Sequence, residues 1–304
     1  MSSIVTSLLS RARSWWQVRR LHQRAVGHLP QINPPRTYNE HIVHRILFDR
    51  DPRLTVISDK IAVKDFIARV VGEKYVVPLL GKWLRPEDID WSRLPRAFVL
   101  KPNQLSGPFV VIGDQTSVDR SSVVQLINGW PKARFKFLPH IRTEWGYQGI
   151  EPFIMAEPLL KAPDGGVVQE LNVFTFGGKA ALVRVYKGRK LTAERRDGWF
   201  DVDGRQLAIR ANHVQSGVFA LPEAIRREAI DVAQAVSAGF SHLRVDFYMA
   251  SGGLMIGELT PYSWGAQCRF TPPELDFELG KLWQSVDTTH IPTYESSAES
   301  DLTT

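Results

Sequence analysis

Apolar and polar residues along the chain follow two different periods, and each period predicts one kind of element. Strict alternation between turn residues indicates antiparallel hairpins, and apolar residues three and four apart indicate amphipathic helices. Strands are predicted at 76–80, 97–101, 109–112, 153–157, 171–176 and 181–186, with further hairpins over 199–209 and 244–260. Helices are predicted at 37–50, from an N-cap at Ser58 to a stop at Gly72, and at 117–130, 222–239 and 270–283.

The last of these hairpins carries two acidic side chains. We expect Ser251-Gly252-Gly253 to form its loop, so that Ala250 faces Leu254. Counting back from the loop places Asp246 opposite Glu258. Side chains paired in this way lie ~5 Å apart, and like charges there destabilise the sheet. A bound Mg²⁺ removes that repulsion, because carboxylates are its preferred ligands. The alternative is an ordinary surface hairpin whose acids face water, or a register one residue off.

Lys101 ends a predicted buried strand and is followed by a polar loop, residues 102–107, which we call the phosphate loop. A lysine in this position suits a phosphate site, because its ammonium supplies charge and the loop amides supply donors. The alternative is a lysine that reaches solvent where its strand ends.

Basic residues cluster again at 187–196, after the hairpin of residues 171–186. Taken singly they form a solvated loop, whereas beside a carboxylate pair they would hold an anionic substrate. The cluster consists of Lys187, Arg189, Lys190, Arg195 and Arg196.

Composition narrows the class of protein. The 304 residues are 43% hydrophobic and 23% charged, as in a globular protein with a well-buried core. No apolar run approaches the ~18 residues that span a bilayer, and arginines interrupt any signal-like segment. Cys268 is the single cysteine, which excludes an internal disulfide and favours a reducing cytoplasm. We expect it to be structural, and we find no zinc-binding spacing.

The net charge of +6 belongs to the N-terminus. Residues 1–36 contain six arginines and no acid, so the remaining 32 basic residues balance the 32 acidic ones. A neutral body argues against nucleic-acid binding, for which a basic groove across the fold is expected. Residues 4–26 mix arginines with Trp15 and Trp16, the composition of an interfacial membrane helix. The alternative, which we favour, is a helix that docks on the body or on another subunit.

Several separated motifs match one pattern in their order and spacing. They are Ser58-Asp59-Lys60, Phe98-Val99-Leu100-Lys101, Arg142-Thr143-Glu144-Trp145-Gly146-Tyr147, Met155-Ala156-Glu157, Arg244-Val245-Asp246, Gly257-Glu258-Leu259-Thr260, and Phe270-Thr271-Pro272 with Asp276 and Gly280. Over residues 36–284 the chain resembles the ATP-grasp enzymes. Among these it is similar to the teichuronopeptide-biosynthesis (TupA-like) amidoligases of bacterial surface polysaccharide clusters.

The resemblance implies an α+β fold, the ATP-grasp fold, with a nucleotide between two antiparallel sheets and here a helical N-terminal region. It implies that Lys101 contacts the phosphates of ATP and that Glu157 lies at the adenine-binding hinge. It also implies that Asp246 and Glu258 hold Mg²⁺ or Mn²⁺, with Thr260 where many ATP-grasp enzymes have a third ligand. The remaining expected nucleotide-binding residues are Ser106, Gly107, Leu159 and Glu170. The expected catalytic residues are Arg184 and Arg244, for the transferred phosphate or the substrate carboxylate, together with Lys101.

The chain departs from the family pattern in its phosphate-binding residues. Asn103-Gln104-Leu105-Ser106-Gly107 stands where the family usually has Asn-His-Gly-Ser-Gly. Glu170-Leu171-Asn172 replaces an Asp-x-Lys sequence in the middle strand, and no lysine precedes the hinge strand. The two acids and Lys101 remain, so we expect an active enzyme.

We expect five segments along the chain. They are a basic helical arm (1–35), a helical subdomain (36–95), a small ATP-grasp subdomain (96–150), a core with the metal site (151–284) and a disordered polar tail (285–304).

The function expected from the resemblance is an ATP-dependent carboxylate–amine ligase that forms an amide through an acyl phosphate. Its expected partners are an amine and an acidic small molecule or saccharide, such as a sugar-acid precursor of a bacterial surface polysaccharide, and no nucleic acid. Two alternatives stay open. One is a non-catalytic ATP-binding partner at the membrane surface, in contact with membrane or protein through residues 4–26. The other is a kinase on the same fold. We expect a cytoplasmic protein, with a peripheral position at the inner membrane as the alternative.

Overall fold

The computed structural model describes residues 15–105, 107–130, 143–188, 195–212 and 214–286. The described helices are α1 (residues 15–26), α2 (Tyr38–Phe48), α3 (Arg53–Ser58), α4 (Ala62–Val71), α5 (Arg120–Asn128), α6 (Glu223–Ser237) and α7 (Glu274–Gln284). The described strands are β1 (Gly81–Trp83), β2 (Phe98–Pro102), β3 (Val110–Ile112), β4 (Ile154–Pro158), β5 (Gln169–Phe176), β6 (Lys179–Lys187), β7 (Arg196–Phe200), β8 (Gln206–Leu207), β9 (Arg210–Ala211), β10 (Gln215–Ser216), β11 (His242–Ala250), β12 (Gly253–Thr260) and β13 (Phe270–Thr271).

The smaller of the two main sheets has four antiparallel strands in the order β1-β4-β2-β3. It has its own apolar core, to which the strands contribute Phe98, Leu100, Ile112, Ile154 and Ala156. Strands β2 and β3 lie in the expected small subdomain (96–150), whereas β1 lies in the expected segment before it (36–95) and β4 in the one after it (151–284). The boundaries at 95 and 150 therefore fall between strands that share one sheet.

The strand predicted at 76–80 is wrong, because the ladder with β4 begins at Gly81 and takes from the predicted segment only a bond from Leu80 N–H to the carbonyl oxygen of Ala156 at 2.8 Å. Pro78 has no N–H group to give to a ladder, and Leu79 beside it is exposed. Val76 forms instead an isolated parallel bridge to Ile256 of β12.

The larger sheet has the order β10-β7-β6-β5-β11-β12, with β8 added beside β7. Its strands are antiparallel except for the parallel pair of β10 and β7. One face packs on α6, which contacts β5, β6 and β11. The strand residues of this apolar layer are buried and include Leu171, Val173, Val183, Val245 and Phe247.

The helix predicted at 37–50 is present as α2, which Thr37 caps in a capping box with Glu40.

The helix predicted from Ser58 begins later than expected. Ser58, however, is the last residue of the short helix α3. Asp59 turns the chain there, since its carboxylate accepts a hydrogen bond from Ile61 N–H at 2.8 Å. The next helix therefore starts at residue 62 and ends, as predicted, at Gly72.

Helix α1 docks on the body through its buried residues Val18 and His22. His22 Nδ1 lies 3.0 Å from the carbonyl oxygen of Ala266, and Arg269 Nη2 donates to the carbonyl oxygen of Arg24 at 3.3 Å. The expectation of a docked helix is confirmed for the described part of residues 4–26, whose first residues lie outside the described ranges. In the part of the chain that the structure covers, no helix is both long and apolar enough to cross a membrane.

Gly280 of α7 lies against the backbone that leads into α2. A Cβ atom there would overlap the carbonyl oxygen of Arg36 and lie 2.8 Å from Thr37 Cα. One turn earlier, Asp276 accepts hydrogen bonds from Asn39 N–H at 3.0 Å and Asn39 Nδ2 at 2.9 Å. The Asp276 and Gly280 motif is thus explained by helix packing.

We predict that Gly280→Ala lowers the free energy of unfolding by ~2 kcal/mol, because an overpacked contact displaces backbone. Urea denaturation measures the change. Gly113→Ala is the matched control, since no atom lies within 4 Å of a Cβ at that position. Equal stability of the two variants would contradict the close approach of α2 and α7.

Acid should weaken the docking of α1. Burial lowers the pKa of His22 from 6.5 to about 4, so the folded protein binds its proton less readily than the unfolded chain. The stability contributed by neutral His22 is present above pH 6.5 and is lost as the pH falls towards 4. Between pH 7 and pH 5 this loss amounts to ~2 kcal/mol. Between pH 7 and pH 5 the free energy of unfolding of His22→Gln should fall by ~2 kcal/mol less than that of the wild type. Urea denaturation at the two pH values measures this. Identical pH dependence of the two proteins would refute this linkage.

Candidate functional site

A row of polar side chains crosses the larger sheet on the face opposite α6. Directly opposed residues of antiparallel strands point to the same face, so the backbone register defines the row. From β12 through β11, β5 and β6 to β7, its members are Glu258, Asp246, Asn172, Arg184 and Trp199.

The predicted pairing of Asp246 with Glu258 is confirmed, although the turn and the pairing of the residues between them differ from the prediction. Ala250 pairs with Gly253 rather than with Leu254, so the turn is one residue shorter than expected. A register shift between Asp246 and Phe247 adds one unpaired residue, Gly257, on β12. Turn and bulge compensate each other, and the two acids face each other as predicted.

The Asp246 carboxylate is held by three neighbours. Arg244 donates from Nε to Oδ1 at 2.7 Å and from Nη2 to Oδ2 at 2.6 Å. Asn172 Nδ2 donates to Oδ1 at 2.8 Å, and the Thr260 hydroxyl donates to Oδ2 at 3.2 Å. These bonds fix the orientation of the carboxylate beside Glu258.

The charge distribution around Asp246 fits a divalent cation. Burial raises the pKa of Asp246, and the carboxylates of Glu258 and Glu170 raise it further, while Arg244 opposes them. Repulsion among carboxylates is what Mg²⁺ relieves, and Asp246 with Glu258 would hold it. Among the described residues no group of three or more His, Cys, Asp or Glu side chains could hold a metal ion. The remaining ligands would therefore be phosphate oxygens and water.

The site has two halves: the polar row on the larger sheet, and a group of charged side chains on the small sheet. Lys101 and Glu157 form the centre of this second half. Lys101 Nζ lies 2.6 Å from Glu157 Oε2, and Lys64 Nζ of α4 lies 2.8 Å from Oε1. Burial acts to raise the pKa of Glu157, but the two lysines together hold it below its ordinary value. Lys101 is therefore neutralised by a carboxylate rather than directed into open solvent.

The phosphate loop follows β2 and is anchored at Asn103, whose Oδ1 accepts a bond from Phe153 N–H at 2.8 Å. Gly107 is exposed and has φ 114°, a left-handed conformation that favours glycine. Ser106 lies outside the described residues. Leu159 is half-buried at the end of β4, and Glu170 Oε2 lies 3.4 Å from Arg195 Nη2.

Sequence comparison identifies the family. The model of the TupA-like ATPgrasp family matches residues 40–284. The chain belongs to the TupA-like ATP-grasp family. A comparison with curated proteins finds no match.

Solved structures similar to this TupA-like chain include three ligases. D-alanine–D-alanine ligase from Bacillus anthracis, complexed with ATP, is 16% identical over 69% of this chain and 57% of its own, with a TM-score of 0.42. The ATP-grasp ligase PsnB, complexed with minimal precursor, is 10% identical over 77% and 61%, with a TM-score of 0.43. L-amino acid ligase from Bacillus licheniformis is 13% identical over 74% and 46%, with a TM-score of 0.43. The chain thus spans less than two thirds of the length of each of these structures.

Of the two predicted catalytic arginines in this ATP-grasp chain, only Arg244 contacts a predicted metal ligand. Arg184 lies two strands from Asp246, and its guanidinium pairs with the fully buried Asp197. Trp199 Nε1 donates to the same carboxylate at 3.1 Å. The Arg184 guanidinium also lies 4.1 Å from the centre of the Tyr186 ring. Its catalytic role stays a prediction.

Sequence reasoning missed several residues of the site. In the sequence Asn172 stands out only for the charge it lacks, yet its amide positions Asp246. Lys64 gave no signal, because a lysine on a polar helix face is expected to be solvated. Lys60 belongs to the Ser58-Asp59-Lys60 motif, which marks the family resemblance, but the sequence alone assigns this lysine no role in the site.

The Arg184–Asp197 pair gives a prediction for stability. Asp197→Asn leaves a buried guanidinium without its counter-ion, and we expect a loss of ~3–5 kcal/mol in the free energy of unfolding. The double variant Arg184→Met/Asp197→Leu should lose much less, because an apolar pair replaces a buried ion pair at little cost. Urea denaturation measures both.

The matched control for this prediction is Asp201→Asn, whose partner Arg205 is 79% exposed. An exposed pair contributes at most ~1 kcal/mol. If Asp197→Asn costs no more than this control, the buried pair does not hold Arg184 in place.

Proposed function

We propose that this TupA-like ATP-grasp chain is an ATP-dependent carboxylate–amine ligase that forms an amide through an acyl phosphate. The observation that carries the proposal is the placement of Asp246 opposite Glu258, with Arg244 bonded to Asp246 on the same face. This arrangement suits a metal-assisted phosphoryl transfer to a carboxylate.

The chemistry explains why acids and cations dominate the site. A carboxylate is a poor electrophile at neutral pH, so an amine attacks it usefully only after the γ-phosphoryl group of ATP has been transferred to it. Phosphoryl transfer needs positioning and charge neutralisation more than a covalent protein nucleophile. Mg²⁺ bound at Asp246 and Glu258 would neutralise phosphate oxygens. Arg244 lies beside this position, where it would hold the acid substrate or the transferred phosphate.

The acid substrate, on this proposal, is a sugar acid or another acidic precursor of a bacterial surface polysaccharide. A basic residue at the end of the sheet supports an anionic substrate. Arg195 lies 3.9 Å from the centre of the Tyr186 ring. Tyr186 and Glu170 belong to the row next to that of Asp246, so Arg195 lies on the side of the sheet that carries the acids.

One observation favours a second candidate, a non-catalytic ATP-binding partner. Both oxygens of Asp246 already accept hydrogen bonds from Arg244 and its neighbours, so a metal ion must displace or share one of these contacts. A protein that keeps these bonds would bind nucleotide without turnover.

We predict that Asp246→Asn and Glu258→Gln each lower ATP turnover by about 100-fold in the presence of an accepted acid and amine. Each loses an electrostatic contact of ~3 kcal/mol in the transition state. ADP release over a panel of sugar acids and amines, with mass spectrometry of the products, measures this. The matched control is Glu278→Gln, an exposed acid on α7, which should turn over ATP as the wild type does.

The outcomes separate the candidates. Wild-type turnover in both variants would refute the metal site. A phosphorylated acid as the final product would identify a kinase. ATP binding without ADP release over the whole panel would favour the non-catalytic partner.

A further inference from the structure

A loop of residues 261–266, which we call the Trp264 loop, follows Thr260 at the end of β12. Trp264 has φ 54°, and the next two residues, Gly265 and Ala266, have φ 57° and 63°. A left-handed backbone is costly for a bulky side chain, and residues held in it cluster at active sites and ligand clamps. Glycine or asparagine adopts this conformation more readily. The tryptophan side chain therefore stands at a backbone position that disfavours it.

Contacts on both sides of the loop hold this backbone. Gly265 N–H donates to the carbonyl oxygen of Tyr262 at 2.9 Å, and the Tyr262 hydroxyl accepts a hydrogen bond from Gly146 N–H at 3.0 Å. On the other side, the carbonyl oxygen of Ala266 lies 3.0 Å from Nδ1 of the buried His22. The body and helix α1 thus fix the loop together, and the tryptophan ring has a set position.

The Trp264 ring lies over the face of the larger sheet that carries Asp246. Phe174 pairs with Arg244 across β5 and β11, so both side chains point to that face. Trp264 stacks on Phe174, with ring centres 5.7 Å apart and planes inclined by 20°. Phe174 is fully buried, whereas Trp264 is half-buried. Trp264 is therefore the accessible member of this stack.

Two guanidinium groups lie close to the same ring. The guanidinium carbon of Arg244 lies 5.4 Å from the centre of the Trp264 ring, and that of Arg184 lies 5.5 Å from it. Arg244 also donates two hydrogen bonds to Asp246. A carboxylate that contacts Arg244 beside the metal position would therefore bring the rest of its molecule within reach of the Trp264 ring.

We propose that Trp264 is a specificity-determining residue that binds the ring of a cyclic sugar acid while Arg244 holds the carboxylate. The inference takes its acid substrate from the proposed function. Each face of a pyranose ring presents C–H groups, and their partial positive charge is attracted to the negative face of an aromatic ring. An open-chain acid presents no such face. Trp264 thus selects among acids by shape, which neither the metal position nor the arginines can do.

A comparison of D-glucuronate with D-gluconate tests this assignment. Both acids have the same number of carbon atoms, but only the first is a pyranose in neutral solution. Ligand-observed NMR titration of the full chain in excess Mg-ADP measures both affinities. We expect about 10-fold tighter binding of the cyclic acid, as the contribution of an aromatic contact predicts. D-Galacturonate and D-mannuronate are titrated in the same way, because the contact recognises the ring rather than one hydroxyl group.

Three variants separate the aromatic ring from the backbone that carries it. Trp264→Asn tolerates the left-handed conformation but has no aromatic face, so its preference for the cyclic acid should fall to about twofold or less. Trp264→Phe retains an aromatic face and should keep a preference within about threefold of that of the wild type. Thermal melting followed by circular dichroism shows which variants fold, and Trp264→Leu gives the non-aromatic comparison if Trp264→Asn does not.

The matched control is Trp16→Ala, which removes a tryptophan of α1 that is 61% exposed. It should keep the full preference for the cyclic acid. ADP release with the same acids and a panel of amines is measured in parallel, so that ring recognition and ligation are tested separately.

Three results would overturn the inference. If the wild type prefers none of the cyclic acids, Trp264 does not recognise a sugar ring, and ATP turnover with another acid would leave the proposed function standing. If Trp264→Asn keeps the preference, the tryptophan ring serves packing alone. If this variant loses affinity for cyclic and open-chain acids by the same factor, Trp264 has only a structural role. A Trp264-dependent preference without ADP release over the whole panel would support the sugar-acid site and refute the ligase.

Discussion

The register of β11 between β5 and β12 is the constraint on which the site depends. Val245 and Phe247 point into the apolar layer against α6, and the alternate residues of the same strand carry the polar row. A slip of one residue would exchange the two sets, exposing the core residues and burying the charges. The burial that stabilises the sheet therefore also determines which side Asp246 and Glu258 face.

Residues 59–64, which run from the end of α3 into the first turn of α4, join the two halves of the site. Asp59 binds Asn103 of the phosphate loop, Lys60 contacts Glu258 of the large sheet, and Lys64 binds Glu157 of the small sheet. A few consecutive residues outside both sheets thus set the position of one sheet's polar groups relative to the other's. This explains why the Ser58-Asp59-Lys60 motif accompanies the strand motifs although it lies in neither sheet.

Local patterns predicted the elements well, and long-range contacts poorly. The hairpins of residues 171–186 and 244–260 could be located because runs of β-branched and aromatic residues flank glycine-containing turns. The same reasoning failed at 76–80, where Val77 is buried but Leu79 is exposed and no ladder forms. It also could not show that Lys101 meets Glu157, or that Arg184 meets Asp197. Those partners lie on different strands, and their charges carry no sequence period.

The bulge at Gly257 shows that two combinations of turn length and bulge give the same pairing of Asp246 with Glu258. A two-residue turn with one unpaired residue on β12 gives the same partner for Asp246 as a three-residue turn with none. Glycine suits the unpaired position, because a Cβ there would lie 2.5 Å from the Tyr248 ring. Related chains can therefore differ in turn length by one residue and keep both acids in phase, provided that a deletion at the bulge accompanies each insertion at the turn.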